Sequence, residues 1–315
     1  MKVLISGSTG LIGSALARAL RQQSHEVAAL TRPDTRDRST GAPAADQRVA
    51  WNPEAGTLDQ NADGADAVVH LAGASIAGGR WTDERKKVLR DSRVATTHSL
   101  IDSLKKLSRP PRIFIGGSAI GFYGNRADEE LTESSPAGTD FLAGVTQEWE
   151  AASLRASEFG ARTVLLRTGI VLDKDGGALP RMVLPFRFGA GGRLGSGRQW
   201  MSWVSLEDLV AMIQHALATD SLTGPVNGVA PHPLRNAEFT KILARVLHRP
   251  AIFPAPAFAL RLALGEMADA LLLASQKVLP KRFEDSGYRF SLPDLEKALQ
   301  KALGTKQRGH SVTLP

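Results

Sequence analysis

Residues 1–20 read MKVLISGSTGLIGSALARAL, and three kinds of local order follow one another in them. Val3, Leu4 and Ile5 form the short apolar, β-branched run expected of a strand buried on both faces of a parallel sheet. Gly7, Gly10 and Gly13 then space a turn. Leu11, Ile12, Ala15, Leu16, Ala19 and Leu20 recur at three- and four-residue intervals and make one apolar face of a helix over Leu11–Gln22. A glycine turn between strand and helix lets backbone amides approach a pyrophosphate, and the helix start aims its positive end at that anion. Gly7 and Gly10 are separated by two residues, one more than in the commonest dinucleotide fingerprint, so the flanking strand and helix carry the reading. A plain glycine turn is the competing one.

The next strand, Glu26–Thr31, ends about twenty residues past the glycines, where an acidic side chain would bind the adenosine 2′-hydroxyl of NAD. The chain places Thr31 and Arg32 there. A carboxylate repels a 2′-phosphate and a guanidinium grips it, so NADP (NADPH) is expected over NAD. The alternative is a solvated arginine at a strand end.

The 315 residues suggest two apposed lobes, and 43% hydrophobic with 23% charged residues describe an ordinary globular chain. The absence of cysteine excludes disulfides, thiolate metal sites and a cysteine nucleophile, and suits a cytoplasmic setting. No metal site is expected. Met1 and Lys2 run straight into the first strand, so no signal or transit peptide is expected. Ala257–Ala274 is the most apolar late stretch, but Arg261, Glu266 and Asp269 interrupt it; it reads as a core-packing helix rather than a membrane span. The net charge of +7 is spread among acids, as in Asp83–Arg93, with no aromatic-interleaved basic stripe, so no nucleic-acid partner is expected.

Strand-like runs at Val3–Ser6, Glu26–Thr31, Arg48–Trp51, Ala67–Leu71, Arg112–Gly116 and Arg162–Arg167 alternate with helix-like segments at Leu11–Gln22, Thr82–Leu107 and Phe141–Phe159. That alternation implies an α/β, doubly wound parallel sheet. From Gly176 to Leu206 there is no acidic residue, while Arg181, Arg187, Arg193 and Arg198 fall among seven glycines. Such a segment is poorly suited to regular structure and reads either as a basic loop over an anionic substrate or as a solvated loop. Beyond Leu206 the chain is helix-rich around one strand at Pro225–Val229.

With SGSTGLIG (residues 6–13), His70-Leu71-Ala72-Gly73 and Ser118-Ala119-Ile120-Gly121-Phe122-Tyr123-Gly124 set side by side, the chain resembles the extended short-chain dehydrogenase/reductases, and LRTGIVL (166–172) and GPVNGVAP (224–231) look like later segments of that group. RWTDERKKVLRDSR (80–93), LPFRFGAGGRLGSGRQWMSW (184–203) and QKVLPKRFEDSGYRF (276–290) are similar to an atypical branch, the YfcH-type epimerase-like proteins with a C-terminal domain of unknown function. The resemblance runs essentially the full length. It implies a Rossmann sheet of about seven strands, with a Rossmann domain at 1–171 and a substrate-side region and helix-rich domain at 172–315, the strand near 225–229 returning to the sheet. It places Gly7, Thr9, Gly10, Leu11, Ile12 and Gly13 on the pyrophosphate, Thr31 and Arg32 at the adenosine phosphate, and Leu71, Ala72 and Gly73 beneath the adenine ribose. Arg93 takes a position near the cofactor where many relatives have asparagine; an ion pair with Asp91 or Glu84 is the alternative.

Hydride-transfer members of that group polarise a carbonyl with a serine and protonate it with a tyrosine whose pKa is lowered by a lysine four residues on. Ser118 stands for the serine. The Tyr/Lys pair is missing: of the two tyrosines, Tyr123 and Tyr288, neither has a lysine four residues later. Setting Glu150 against the glutamate that closes the family's helix puts Leu142 and Thr146 in the places of tyrosine and lysine. Tyr123, Glu148 and Arg167 are the available substitutes, each with a structural alternative: loop anchor, solvated helix residue and paired strand-end cation. Arg167 is also a candidate near the cofactor, and Arg193 and Arg198 are candidates for substrate. Ser205 stands where sugar-nucleotide members have histidine, and Asp208 reads as structural. The expected function is an NADP(H)-binding epimerase-like oxidoreductase acting on a small, anionic molecule, with a homodimer as the candidate assembly; the alternative is a catalytically silent NADPH-binding regulatory or interaction protein.

Overall fold

The structure, a computed structural model, describes residues 1–33 and 45–305. Its centre is an eight-stranded sheet: β1 (Lys2–Ser6), β2 (Glu26–Thr31), β3 (Gln47–Asn52), β4 (Thr57–Leu58), β5 (Ala67–His70), β6 (Ile113–Ala119), β7 (Arg162–Thr168) and β8 (Gly224–Gly228). They lie in the order β8-β7-β6-β5-β1-β2-β3-β4. Every neighbouring pair is parallel except β3 with β4, so the expected doubly wound sheet is present, with a two-residue antiparallel strand added at one edge. The strand order reverses between β1 and β5, and ligands of open α/β sheets bind at the carboxyl ends of strands at such a switch point.

Eight helices matter to the site: α1 (Leu11–Gln22), α2 (Asp83–Asp91), α3 (Val94–Leu104), α4 (Phe141–Leu154), α5 (Leu179–Arg187), α6 (Leu206–Ala218), α7 (Asn236–Leu247) and α8 (Ala257–Leu264). Successive residues of β1 point to opposite faces. Val3 and Ile5 pack with Leu16 and Leu20 of α1 and Leu209, Met212 and Ile213 of α6, whereas Leu4 packs with Leu100, Ile101 and Leu104 of α3. Both faces of the strand are buried, which is why its sequence is continuously apolar. A separate core gathers Leu179, Val183 and Phe186 of α5, Phe239 and Leu243 of α7, and Leu299.

Three local expectations are corrected. The helix read over Thr82–Leu107 is two helices, α2 and α3, because Ser92 and Arg93 spend their side chains on nearby backbone. Ser92 Oγ donates to the Leu89 carbonyl at 3.2 Å and accepts from Ala74 N at 3.1 Å, while Arg93 donates to the carbonyls of Leu89 and Ala74, both at 3.0 Å. The glycine-arginine segment from Gly176 is not wholly irregular, since α5 buries Leu179, Val183 and Phe186 on one face. Pro180 sits in its first turn, where a missing amide costs no helical bond. Ala257–Ala274 is not a core-packing helix: α8 buries no residue, Phe258 and Leu262 are 73% and 79% exposed, and Gly265 ends it at φ +63°. Among the described residues no helix is long and apolar enough to cross a membrane.

Asp208, fully buried in the first turn of α6, ties the late chain to the sheet. Its Oδ1 accepts from Tyr288 Oη at 3.1 Å and Ser291 N at 2.8 Å; its Oδ2 accepts from Leu292 N at 2.9 Å and Ser205 Oγ at 3.0 Å. Removing this carboxylate strands several buried donors, so Asp208→Ala is expected to cost roughly 3 kcal/mol of unfolding free energy in urea denaturation. A loss under about 1 kcal/mol would show that the segment is held by packing instead.

Candidate active-site cleft

The glycine turn has the shape its sequence demands. Gly7 has φ +73°, and a Cβ there would meet Ala72 N and Leu71 C at 3.0 Å. Gly13 is required by the fold itself: a Cβ on it would lie 2.3 Å from the Gly7 carbonyl oxygen, so strand and helix could not close. A Cβ on Gly10 meets the same oxygen at 3.2 Å, a contact small adjustments absorb. Helix α1 therefore begins at Gly10 with no side-chain cap and no acidic residue in its first turn. Thr9 and Gly10 are exposed at the tip of the turn, with Leu11 and Ile12 half-buried behind them. Thr31 and Arg32 follow at the end of β2, Thr31 half-buried and Arg32 exposed.

Beside the turn, the end of β5 is fixed from below. Ser6 Oγ bonds His70 Nδ1 and accepts from Ala72 N at 3.3 Å, and His70 Nε2 meets Thr97 Oγ1 at 3.1 Å. Burial pulls the His70 pKa down to about 4, so the imidazole is neutral and acts as a spacer between two hydroxyls. Leu71, Ala72 and Gly73 leave the strand above it. Gly73 gives room to Arg93, whose guanidinium carbon would lie 3.3 Å from a Cβ there. Arg93 is largely buried and bound to carbonyls rather than to Asp91 or Glu84; burial and the nearby Arg85 lower its pKa.

On the other side of the switch point, register puts Ser118, Arg167 and Asn227 in one row across β6, β7 and β8. Arg167, 3% exposed, donates from Nε and a terminal nitrogen to the two oxygens of Glu150, each at 2.8 Å. Its other terminal nitrogen donates to Tyr123 Oη at 3.0 Å, and its guanidinium lies 3.4 Å from the centroid of the Phe122 ring. Ser118 Oγ donates to Glu150 Oε1 at 2.6 Å. Tyr123 Oη donates to Asn227 Oδ1 at 2.7 Å, and Glu133 Oε1 accepts from Asn227 N at 3.0 Å. Glu133 Oε2 is buried without a partner, and burial raises this carboxyl's pKa.

Two expected roles are corrected here. Tyr123 has no exposed surface and its hydroxyl is used inside the protein, with burial raising its pKa, so it anchors the loop after β6 and does not present an acid. Arg167 is spent on Glu150 and Tyr123 and is buried, so it is a paired strand-end cation. The second tyrosine, Tyr288, is equally committed to Asp208. Glu148 is solvated and bonds Arg90 Nε at 2.7 Å. The residues that composition and spacing missed, Glu150, Glu133 and Asn227, meet their partners across 17 to 104 positions of sequence.

A cavity of about 320 Å³ lies between the start of α4 and the late segment 261–274, its walls including Trp81, Phe141, Leu142 and Leu273. Leu142 is thus part of its lining, and Thr146, one turn on in α4, turns its hydroxyl back onto the Leu142 carbonyl. Arg193 and Arg198 are exposed and outside that lining; Arg193 donates to the Ser196 carbonyl at 2.7 Å. No cluster of metal-binding side chains occurs among the described residues.

The buried pair should behave as a unit. Arg167→Met leaves Glu150 buried without its partner and is expected to cost about 3–5 kcal/mol, whereas adding Glu150→Leu should restore part of that stability in chemical denaturation. A double variant no more stable than the single would refute the pairing. For Glu133 the folded pKa lies above the unfolded one, so its ionisation costs stability as pH rises through and beyond the unfolded value. Relative to Glu133→Gln, the wild type should gain stability as pH falls from about 7 to about 5, measured by urea titration; an unchanged difference would show that burial does not perturb this carboxyl.

Comparison with known proteins agrees with this architecture. Residues 3–227 match the NAD dependent epimerase/dehydratase family, and residues 255–302 match a domain of unknown function, DUF1731. The chain is 45% identical over 298 residues to epimerase family protein Mb2239 of Mycobacterium bovis, covering 94% of this chain and 96% of that protein. It is 39% identical over 302 residues to the chloroplastic SDR39U1 homolog of Arabidopsis thaliana, covering 95% and 86%. The crystal structure of human epimerase family protein SDR39U1 with NADPH superimposes with a TM-score of 0.86 at 34% identity, covering 97% of this chain and all of that one. With its glycine turn, switch-point sheet and matching late domain, this chain belongs to the NAD dependent epimerase/dehydratase family.

Proposed function

We propose that this protein binds NADPH across the carboxyl ends of β1, β2 and β5 and works as an epimerase-like oxidoreductase on a small molecule held in the cleft beside α4. The observation that carries the reading is the uncapped start of α1 behind Gly7 and Gly10, at the sheet's switch point, in a chain whose human relative was solved with NADPH. Gly7, Thr9, Gly10, Leu11, Ile12 and Gly13 would hold the pyrophosphate. Thr31 and Arg32 would take the adenosine 2′-phosphate, Arg32 by charge. Leu71, Ala72 and Gly73 would pass beneath the ribose, with Arg93 fixing that loop from behind rather than touching phosphate.

When bound, the dinucleotide supplies or accepts a hydride. Ser118 then has a defined polarity. Its proton is committed to Glu150, so its remaining lone pairs can only accept a hydrogen bond; it is buried and, like Arg193 and Arg198, lies outside the lining of the cavity. The basis for an anionic substrate weakens, because Arg193 and Arg198 lie outside the cavity lining. A second reading, NADPH binding without turnover, is favoured by one observation: both tyrosine hydroxyls are tied into structural bonds.

Calorimetric titration is expected to show NADPH binding at least about tenfold tighter than NADH. Arg32→Ala should remove most of that preference and leave NADH affinity nearly unchanged. Gly10→Val should abolish binding of both dinucleotides while the protein still unfolds cooperatively. Equal affinities in the wild type would refute the 2′-phosphate assignment, and unchanged binding in Gly10→Val would refute the cradle.

A further inference from the structure

The cavity beside α4 carries a statement about substrate class that rests on the reading above. Its floor is apolar: Trp81 and Phe141 meet edge to face at 5.5 Å, and Leu142, Ala270, Leu273 and Ala274 complete the wall. Trp81 already donates its indole N–H to the Ile76 carbonyl at 3.0 Å, so it offers the cavity ring surface. About 320 Å³ is at the lower end of the volumes that hold small organic ligands.

The charges in the lining run against an anion. Among the described residues Arg261 is the one cation of the lining, and Asp140, Glu266 and Asp269 are also there. Arg261 pairs with Asp269, its Nε 3.0 and 3.1 Å from the two carboxylate oxygens and a terminal nitrogen 2.9 Å from one of them. Lys86, 5.1 Å from the Phe141 ring centroid, pairs with Glu266. A phosphate or carboxylate entering here would give up its hydration next to three carboxylates and cations that already have partners. A neutral donor exists: Asn125 uses Oδ1 to accept from Ser275 N at 3.0 Å, which leaves its Nδ2 amide for a carbonyl or hydroxyl oxygen.

We infer that this cavity takes an uncharged molecule with an aromatic or branched apolar body carrying a carbonyl or hydroxyl group, and that it rejects phosphorylated and carboxylated compounds, nucleoside-diphosphate sugars among them. Specificity of this kind comes as much from the carboxylates that repel the wrong ligand as from the rings that receive the right one.

The test compares two probes of the same shape, 2-acetylnaphthalene and 2-naphthoate, titrated into the NADPH-loaded protein and followed by ligand-observed NMR. The ketone is expected to bind at least about tenfold more tightly than the carboxylate. Ala270→Trp, which fills the cavity, should weaken the ketone by about tenfold and leave NADPH affinity unchanged. Combining Glu266→Gln with Asp269→Asn releases Lys86 and Arg261 from their partners and should raise carboxylate affinity severalfold; this variant decides the matter if Ala270→Trp does not fold. Carboxylate binding equal to or tighter than the ketone, no ketone binding, or ketone affinity untouched by Ala270→Trp would each overturn the inference. NADPH affinity is read on the same samples. If the wild type fails to bind NADPH, the cofactor reading falls, and the two probes titrated into the protein alone still settle the preference of the cavity.

Discussion

A guanidinium in the middle of a parallel sheet has to be matched at once, and the Arg167–Glu150 pair is how this fold does it. Arg167 belongs to a strand with neighbours on both sides, and bringing its charge out of water costs several kcal/mol before any partner is counted. The two-pronged contact with Glu150 returns that energy only because the geometry is bidentate and the remaining donors are also used. The partners come from different places: Glu150 from α4, Tyr123 and Phe122 from the turn after β6, and the Glu133 carbonyl, 3.4 Å away, from the loop beyond. The position of α4 on the sheet, the path of residues 120–133 and the pairing of β8 through Asn227 therefore all answer to one buried charge.

That constraint reaches the chemistry. A tyrosine serves as an acid when its hydroxyl faces a substrate and a neighbouring cation lowers its pKa. Tyr123 has the cation, Arg167, but faces Asn227, and its burial outweighs the cation's effect. Ser118, near the end of β6, has its proton turned inward onto Glu150. The same carboxylate that pairs with Arg167 thus sets the direction of the serine hydroxyl, and Leu142 of α4 lies on the wall of an apolar cavity.

What could be read in the sequence was what local pattern encodes. The β1–turn–α1 unit was legible because each of its requirements, a doubly buried strand, glycines at close approaches and an amphipathic helix, falls within about twenty consecutive residues. The break at Ser92–Arg93 was not, since it depends on Arg93 finding the Ala74 carbonyl, 19 positions away. α5 was hidden by glycine and arginine content around it; its buried triplet Leu179, Val183 and Phe186 was the signal. The exposure of α8 ran against its apolar sequence, as hydrophobicity alone does not say whether a helix finds a partner. The polar network was illegible for the simplest reason. A glutamate at 133 and an asparagine at 227 look like any others until register places one row of three strands beneath them.

The glycine cradle and the cavity beside α4 are specified by different means, and one segment joins them. The cradle is written in backbone: positive φ at Gly7, no room for a Cβ at Gly13, and amides without caps. Side chains can change around such a site while the dinucleotide's place is kept. The cavity is written in side chains, among them Trp81, Phe141 and Leu142. Residues 71–86 connect the two. At one end Ala72 N donates to Ser6 Oγ at the foot of the cradle; further along, Ala77 receives Arg181 of α5 at 2.9 Å, Arg80 donates to the Leu262 carbonyl at 2.6 Å, and Lys86 pairs with Glu266. The segment that would lie beneath the cofactor's ribose is therefore the one that carries Trp81 into the cavity wall, so a shift at either site must be accommodated at the other.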